Sequence, residues 1–403
     1  MANSSLTIDM ITLKALDLLE IASPLIRTIN KQYDDKFAVT GAKIGATCRV
    51  RKPDRVLVTE GAALGVDDTD DQFTTVSITD QTHVGLNFTS AELALNIDDF
   101  ADRHLKPRIS QLAATIESKI AQRVYKKVWQ SVGTPGTTPA TSLVLLQAMQ
   151  KLYEANTPAG MIHGVVNPAA NASLVEGLKG LFNPTGTISK QFKTGLMGEG
   201  ILGLDDISMG QGIYTHTRGT TPTAPIVAAT VATQGQTTLD ISFTSGSPTF
   251  KVGDVFTVAG VYMVNPQTRV STGSLQQFVV DTDLSISSTT TGTLSFQPPL
   301  YTAEQALATV NAFPQSSAAL VFMGATSGVY PQNLIFQKDS FTLATVDLQL
   351  PSGVQMASRQ TYNGISMRIV KQYDINNDRL PCRVDVLYGI DTLRPETACR
   401  LWG

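Results

Sequence analysis

The glycine pattern Gly198-Glu-Gly-Ile-Leu-Gly203 has the spacing of a dinucleotide-binding turn. In such a turn the glycines let the backbone approach a pyrophosphate at the start of a helix, so the pattern needs a strand before it and a helix after it. Residues 188–197 do not read as an apolar strand, and residues 204–212 do not read as a helix. The pattern therefore predicts a flexible glycine loop and no cofactor.

Side chains that bind metal ions are scattered along the chain. The four histidines are His83, His104, His163 and His216. They include no pair at the spacing of metal ligands on a helix, and no cysteine lies near them in sequence. An acidic cluster consists of Asp67, Asp68, Asp70 and Asp71. This cluster lacks the glycine and the closing glutamate of a calcium loop, so we expect a solvated loop, four unrelated histidines and no metal site.

No arrangement typical of catalysis is found in the sequence. The chain has no Gly-x-Ser-x-Gly elbow and no Walker-type phosphate loop, and the pair Asp205-Asp206 has no nearby signal of a pocket. Cys48, Cys382 and Cys399 lie far apart, without a Cys-x-x-Cys spacing. We expect reduced structural cysteines and no catalytic residue.

The composition is ordinary in hydrophobicity but poor in charge. The 403 residues have a formal charge of −3, and 16% of them are charged, against an average of about 25%. This balance excludes a disordered polyelectrolyte and a strongly basic nucleic-acid-binding surface. No apolar run is long enough to span a membrane, and residues 1–10 do not read as a secretory signal, so we expect synthesis in the cytoplasm.

The first hundred residues predict a helix followed by an extended excursion. The helix should begin at Ile8 and end at Pro24, and we expect it to lie outside the core. Residues 46–58 are β-rich and basic, and residues 73–79 and 84–88 alternate between apolar and polar side chains. A long two-stranded excursion is marginally stable alone, so it must lie on something else.

The strongest helical pattern begins at Pro107 and is predicted to run to about Ser131, which corresponds to about 37 Å at about 1.5 Å per residue. Its apolar stripe consists of Ile109, Leu112, Ala113, Ile116, Ile120, Val124 and Val128. Most of its charged residues are cationic and fall on other faces. We call this predicted helix the spine.

An α/β stretch and a β-rich stretch follow the spine. The pattern predicts a helix near residues 140–155, a strand at 161–166, and a helix that begins at Asn167-Pro168 and runs to about Leu181. From residue 217 to about residue 331 short alternating runs predict a small β-barrel or sandwich inserted into a host domain, and a helix signal returns only at 302–312. The last 70 residues are predicted as strands.

These elements, in this order, resemble the major capsid (coat) proteins of tailed double-stranded DNA bacteriophages, of the short-tailed podovirus type with an inserted β-barrel. The most specific segment is Cys382-Arg-Val-Asp-Val-Leu-Tyr-Gly-Ile-Asp-Thr-Leu-Arg-Pro-Glu396, and the segments at 166–168, 203–206 and 252–260 are also similar. The motif residues of this resemblance are Asn167, Pro168, Tyr388, Gly389, Arg394, Pro395 and Glu396. Before residue 90 only the order of helix, hairpin and spine matches.

The resemblance implies an α+β fold of the Hong Kong phage capsid type. Its parts map onto this chain as an N-terminal arm (1–40), an extended hairpin loop (41–95), a peripheral domain with the spine helix (96–131 and 371–403), an axial domain (132–218 and 332–370) and an inserted all-β barrel domain (219–331).

The function that the resemblance implies is that of a shell subunit without catalytic activity or cofactors. Such a protein assembles with itself as hexamers and pentamers into an icosahedral shell around double-stranded DNA, which it binds without sequence specificity. A scaffolding protein and a portal are the implied further partners, a membrane is not, and the implied location is the virion after assembly in the host cytoplasm.

The charges of the extended loop then predict contacts between subunits. The basic residues are Arg49, Arg51, Lys52 and Arg55, and the acidic residues are Asp67, Asp68, Asp70 and Asp71. A neighbouring subunit could receive each set with opposite charge, which steers assembly more than it strengthens it. The alternative is a plain solvated hairpin, and the cationic side of the spine could line the DNA.

Three other classes of protein stay open at this stage. An encapsulin-type cargo compartment shares the fold but usually lacks the inserted barrel of residues 219–331. A virion decoration or adhesion protein could use the β-rich half without needing a spine or an arm. A nicotinamide-dependent enzyme depends only on the pattern at 198–203.

Overall fold

The computed structural model describes residues 8–33, 47–52, 55–56, 73–88, 106–178, 194–210, 212–376 and 379–403. They divide between two compact units. The first unit comprises residues 1–50, 73–121 and 341–393, and the second comprises residues 51–72, 122–340 and 394–403.

The helices among the described residues are α1 (Ile8–Ala22), α2 (Pro24–Thr28), α3 (Lys106–Val124), α4 (Ser142–Glu154) and α5 (Pro168–Leu178). The strands are β1 (Asn30–Tyr33), β2 (Thr47–Arg51), β3 (Phe73–Ser77), β4 (Asp80–Phe88), β5 (Ser131–Val132), β6 (Ile162–Val166), β7 (Gly198–Ile201), β8 (Leu204–Met209), β9 (Thr215–Thr217), β10 (Ile226–Val227), β11 (Gln236–Ser242), β12 (Thr249–Phe250), β13 (Val255–Val264), β14 (Ser271–Val280), β15 (Leu284–Ser285), β16 (Thr291–Leu300), β17 (Leu320–Phe322), β18 (Val329–Gln337), β19 (Phe341–Thr345), β20 (Met356–Tyr362), β21 (Ile365–Lys371), β22 (Leu380–Thr392) and β23 (Ala398–Trp402).

The first unit is built on a six-stranded sheet in the order β1-β19-β22-β21-β20, with β4 also paired to β22. The long strand β22 pairs with β4 over residues 380–388 and with β19 over residues 388–392. The strand predicted at 84–88 therefore belongs to this sheet. Among the described residues of the predicted excursion, β2 and β3 form a separate two-stranded sheet.

Helix α1 packs against β20 and β21 of the same unit. Ala15, Leu16 and Leu19 face this sheet and are at most 1% exposed. Pro24 ends the helix as predicted, because Ser23 caps the new helix α2 and Pro24 occupies its first turn. The expectation that the N-terminal helix lies outside the core is wrong for α1, since its apolar face is covered by the sheet of its own unit.

Helix α3 corresponds to the predicted spine and is shorter than predicted. All seven residues of the predicted apolar stripe are buried. The α-helix ends at Val124, tightens into a 3₁₀ turn at Tyr125–Lys127, and continues as extended backbone from Val128. Nineteen residues correspond to about 28 Å at about 1.5 Å per residue. The spacing of apolar residues therefore predicted the buried face correctly but not the end of the helix.

The second unit contains a seven-stranded sheet in the order β5-β23-β18-β6-β8-β7, with β9 also paired to β18. Strand β6 runs parallel to β8 and antiparallel to β18. The predicted helices near 140–155 and from Pro168 are α4 and α5, and their apolar faces join one core with this sheet. The part of the second predicted helix beyond Leu178 lies outside the described residues.

The inserted β-rich segment is a closed barrel. Its strands follow the order β10-β11-β16-β14-β13-β17, and Ile226 of β10 forms a bridge with Ala319 next to β17. Hydrogen bonds from Val227 N to Ala318 O and from Leu320 N to Pro225 O, both 2.9 Å long, hold this closure. The barrel interior is packed with aromatic rings, since those of Phe256, Phe278 and Phe296 lie 5.2–6.2 Å apart.

Some predicted boundaries fall inside regular elements. The boundary between residues 331 and 332 lies within β18, and the boundary between residues 370 and 371 lies within β21. The stretch 302–312 is made of turns and a single bridge from Met263 to Val310, so the predicted helix signal there is wrong. The five-part division of the chain remains a prediction.

Candidate functional site

The basic strand β2 places its two arginine side chains, Arg49 and Arg51, at the surface. Arg49 is exposed, and its guanidinium carbon lies 4.7 Å from the centroid of the Phe73 ring on the paired strand β3. Arg51 ends the strand with an exposed side chain, and Lys52 follows it. Arg49 and Arg51 therefore reach solvent from one short strand, and the neighbouring Lys52 is half-buried.

Arg55 lies in the second unit, where its guanidinium contacts the C-terminal turn. Its Nη2 lies 3.5 Å from Oε1 of Glu396, and the same oxygen lies 3.5 Å from Nε of Arg394. The next residue, Val56, accepts a hydrogen bond of 3.0 Å on its carbonyl oxygen from Nη2 of Arg269. Residues 55–56 are thus held by the C-terminal turn on one side and by the barrel on the other.

The acidic half of the predicted contact set, which is Asp67, Asp68, Asp70 and Asp71, lies outside the described residues. The pairing of either charge set with a neighbouring subunit remains a prediction. Arg55 has an acidic partner in its own chain, Glu396.

Arg269 was missed by sequence reasoning. It occupies a left-handed backbone conformation with a φ of 57°, which residues other than glycine adopt rarely. Oδ1 of Asn265 accepts hydrogen bonds from the backbone N–H groups of Gln267 and Thr268 and so holds the turn that presents Arg269. Nothing local in the sequence shows that this arginine reaches a carbonyl more than two hundred residues away.

The motif residues Tyr388 and Gly389 lie in β22, where both contribute to the packing of the first unit. Tyr388 is fully buried, and its hydroxyl oxygen accepts a hydrogen bond of 3.0 Å from Oγ1 of Thr82. A β-carbon on residue 389 would lie 2.4 Å from the carbonyl oxygen of Ser77. The aromatic-glycine pair therefore combines a buried anchor with a close approach of two backbones.

The motif residues Arg394, Pro395 and Glu396 form the C-terminal turn. Pro395 begins a 3₁₀ helix that ends at Thr397, and Oγ1 of Thr397 donates a hydrogen bond of 2.8 Å to the carbonyl oxygen of Arg394. The backbone N–H of Arg394 donates to the carbonyl oxygen of Ser340. This turn directs the chain into β23 and presents the Glu396 carboxylate to Arg55.

Asn167 and Pro168 start helix α5 as predicted. Oδ1 of Asn167 accepts a hydrogen bond of 2.8 Å from the backbone N–H of Ala170, and Pro168 is the first residue of the helix. The backbone N–H of Asn167 donates to Oδ1 of Asn333 on β18 at 2.7 Å. This part of the motif therefore ties a helix start to the central sheet of its unit.

The glycine pattern at 198–203 forms a β-hairpin. Strands β7 and β8 are antiparallel and are joined by Leu202 and Gly203, both of which have a positive φ. A two-residue turn of this kind favours glycine because both of its residues need a positive φ. A strand follows where a dinucleotide site needs a helix, so the expectation of a flexible loop is replaced by a structural turn.

The described cysteines, Cys382 and Cys399, have the environment of structural residues. Burial raises the pKa of the Cys382 thiol to about 11 and that of the Cys399 thiol to about 12, so both stay protonated near neutral pH. Within the described ranges, no group of three or more His, Cys, Asp or Glu side chains could hold a metal ion. No helix in that part of the chain is long and apolar enough to cross a membrane.

Comparison with solved structures finds phage capsid subunits among the similar chains. A chain of Mycobacterium phage Che8 has 10% identity, with 94% of this chain and 90% of that chain covered and a TM-score of 0.46. A chain in the asymmetric unit of the bacteriophage PhiM1 mature capsid has 10% identity, with 93% and 85% covered and a TM-score of 0.44. The CUS-3 coat protein I-domain has 25% identity over 26% of this chain and 97% of that domain, with a TM-score of 0.20.

The comparison of the sequence with protein-family models identifies the family more directly than the solved structures do. No curated relative matches the chain. A family model described as the P22 coat protein, gene protein 5, matches residues 65–403, which include the barrel, the C-terminal turn and the motif at 167–168. The match confirms the resemblance to phage coat proteins, the Hong Kong capsid fold class and the interpretation as a major capsid protein, and it leaves the encapsulin alternative less supported. The chain therefore belongs to the P22 coat protein family.

Proposed function

We propose that this coat protein assembles with copies of itself, as hexamers and pentamers, into an icosahedral shell that encloses double-stranded DNA. The observation that carries the proposal is the family match over residues 65–403. A scaffolding protein and a portal are the further partners that we propose, with assembly in the host cytoplasm. The protein acts by forming contacts, and we propose no catalytic role for any residue.

The charge of the chain supports weak binding to the enclosed DNA. Each Lys or Arg that neutralises a phosphate releases counterions and adds affinity that depends on salt. The chain has a formal charge of −3 and a pI of about 5.8, so a shell built from it does not hold DNA tightly through its overall charge. Arg123, Lys126 and Lys127 at the end of the spine are the cationic group that we propose to face the DNA.

The extended loop supports self-assembly through its charges. Arg49 and Arg51 have exposed side chains on β2, and the half-buried Lys52 follows the strand. Arg55 lies 3.5 Å from Glu396 of its own chain. We propose that Arg55 fixes the base of the loop and that the other three cations meet acidic residues of a neighbouring subunit. Exposed charge pairs add little affinity, but they steer association and select the correct partner.

Co-expression with the scaffolding protein of the same phage tests this function. We expect closed shells in which image reconstruction resolves hexamers and pentamers, and we expect particles from infected cells to protect DNA from nuclease. Particles of the correct size that enclose only cellular proteins would contradict the DNA-enclosing function. A protein that binds to the outside of another shell would contradict the role as the shell subunit.

A further inference from the structure

The chain enters and leaves the inserted barrel through two paired strands. Strand β9 leads into the barrel and β18 leads out of it, and they pair antiparallel, with Thr217 opposite Val329 and His216 opposite Tyr330. We call these paired residues, 215–217 and 329–331, the neck. Both strands belong to the second unit, as do the barrel and β23.

Asp254 accepts hydrogen bonds from the neck residue His216 and from two backbone groups near it. It precedes β13 of the barrel and is 2% exposed. Its carboxylate accepts a hydrogen bond of 2.8 Å from Nε2 of His216 and one of 3.2 Å from the backbone N–H of Gly219. The backbone N–H of Lys251 donates a third bond of 2.9 Å to the same carboxylate. A buried carboxylate with this many donors fixes the groups around it, because each bond lost leaves a buried polar group without a partner.

His216 links Asp254 to the end of the spine, because its ring bonds both the Asp254 carboxylate and the Tyr125 hydroxyl. Its Nε2 donates to the Asp254 carboxylate, so in the neutral ring Nδ1 is an acceptor. The Tyr125 hydroxyl lies 3.0 Å from Nδ1 and donates to this nitrogen in the neutral ring. Burial raises the pKa of Tyr125, so its hydroxyl keeps the proton that this bond needs. Tyr125, His216 and Asp254 therefore form a continuous buried chain of hydrogen bonds from the spine to the barrel.

Arg400 forms a second connection, from strand β23 to the barrel. It is fully buried, and its Nη1 donates a hydrogen bond of 2.7 Å to the carbonyl oxygen of Gly253. Its guanidinium carbon lies 5.2 Å from the centroid of the Tyr125 ring. Burial lowers the pKa of Arg400 to about 10, so it remains a cation near neutral pH. Because a buried cation without its acceptor is unfavourable, Gly253 is held at this position.

Gly253 is packed too closely for another residue. Its φ is 101°, and a β-carbon at this position would lie 2.9 Å from a ring carbon of Tyr125. The turn of the barrel at Gly253 thus lies directly against the Tyr125 ring. This contact and the two polar connections meet within four residues of the barrel, 251–254.

A third group of contacts joins α4 and Ser131 to β14 and to the residue that follows β13. Lys151 of α4 donates a hydrogen bond of 2.8 Å to Oε1 of Gln277 on β14, and the backbone N–H of Ser131 donates to the same oxygen at 2.6 Å. Nδ2 of Asn265 donates to the carbonyl oxygen of Glu154 at 3.0 Å. The barrel is therefore held at points well separated along its sequence.

We propose that the neck is a rigid joint, in which Tyr125, His216, Asp254 and Arg400 hold the inserted barrel in one orientation relative to β23 and the spine end. A flexible linker would leave the neck strands as the only connection, and these four buried side chains would then have no reason to meet. A displacement of the barrel in this joint moves β23 with it. The inference concerns the single chain and does not depend on the proposed shell.

A distance measurement between two spin labels tests the joint in the full-length monomer. One label is placed on the exposed barrel residue Ser288 and the other on the exposed α4 residue Gln147, each after substitution by cysteine. Cys48 and Cys382 are replaced by serine, and the buried Cys399 is left in place. We expect one narrow distance distribution in the otherwise unchanged protein. A broad distribution or two separate distances would overturn the proposal.

The substitution Asp254→Asn then tests whether the hydrogen bonds that the Asp254 carboxylate accepts hold the barrel in place. It should at least double the width of the distribution, while Asp240→Asn, on the exposed side of the barrel, should leave the width unchanged. A folded Asp254→Asn protein with the original narrow distribution would remove Asp254 from the joint. If this variant does not fold, the distribution in the otherwise unchanged protein still decides between a rigid and a flexible neck.

Discussion

Gly389 lies so close to the backbone of Ser77 that a β-carbon at residue 389 would lie 2.4 Å from the Ser77 carbonyl oxygen. Strand β22 cannot move away, because Gly389 is paired in register with Ala344 on β19. The glycine of the C-terminal motif is therefore required by a close approach of two backbones in the first unit.

The substitution Gly389→Ala should destabilise the protein by about 1–3 kcal/mol, the usual cost of overpacking a site that cannot relax. Chemical denaturation followed by circular dichroism measures the change. Gly85→Ala is the matched control, since it lies on the neighbouring strand β4 and a β-carbon there meets no atom within 4 Å. Equal stability of the two variants would contradict the steric role of Gly389.

A charge in the apolar stripe of α3 should destabilise the protein strongly. Ile116 and Ile120 are at most 2% exposed, so Ile116→Asp or Ile120→Asp buries an unpaired carboxylate. We expect a loss of about 3 kcal/mol or more in the free energy of unfolding. Ser118→Asp on the exposed side of the same helix should change it by about 0.5 kcal/mol at most. Unchanged thermal stability of the isoleucine variants would mean that the buried face is assigned wrongly.

Glu117 should make the stability of the protein depend on pH. It is 4% exposed and accepts a hydrogen bond of 3.3 Å from the backbone N–H of Leu25. Burial raises its pKa above the usual 4.5. The folded protein therefore binds more protons than the unfolded chain just above pH 4.5, and the contribution of Glu117 to stability falls as the pH rises through this window.

The substitution Glu117→Gln should remove that fall, because glutamine stays neutral and can still accept the bond from Leu25. Denaturant midpoints measured in steps from pH 4 to pH 8 compare the two proteins. We expect the variant to gain stability relative to the original protein as the pH rises. Glu304→Gln, at an exposed site, serves as the control. A constant difference between Glu117→Gln and the original protein across the series would show that Glu117 does not titrate abnormally.

Reversing the charge of the loop cations should impair assembly without unfolding the monomer. The double substitution Arg51→Glu and Lys52→Glu leaves the contact of Arg55 with Glu396 intact. At low salt we expect assembly to slow by about tenfold or more, since steering by charge contributes at least that much to association rates. Light scattering measures the rate, and circular dichroism checks the fold.

A control variant with two charge reversals outside the loop separates the effect of the loop cations from the effect of net charge on assembly. Lys14→Glu with Lys106→Glu changes the net charge equally at two exposed sites outside the loop. We expect this pair to assemble at close to the original rate. If the loop variant formed normal shells as fast as this control at low salt, the proposed contact between subunits would be abandoned.

Local sequence signals predicted the features that depend on neighbouring residues. The stripe from Ile109 to Val128 repeats with the period of a helix and is buried as predicted. Asn167 and Pro168 carry their capping chemistry within three residues of the helix start, and the structure places them there. Such features need no knowledge of distant parts of the chain.

Features that depend on distant residues were not predictable in this way. The spine was predicted to continue beyond Val124, but Tyr125 turns towards His216, which is 91 residues away. His216 was interpreted as one of four unrelated histidines, although it bonds both Tyr125 and Asp254. The C-terminal motif revealed the family through its residue pattern, while the contacts of Glu396 and Gly389 became clear only in the fold.

The most direct test is electron microscopy in negative stain, combined with light scattering, of the purified protein expressed with and without a candidate scaffolding protein. We predict closed shells hundreds of ångströms across, or free hexamers and pentamers, in at least one of the two preparations. A globule of this length has a radius of gyration of about 21 Å. If both preparations contained only a monodisperse monomer of that size, the proposed role as a shell subunit would be contradicted.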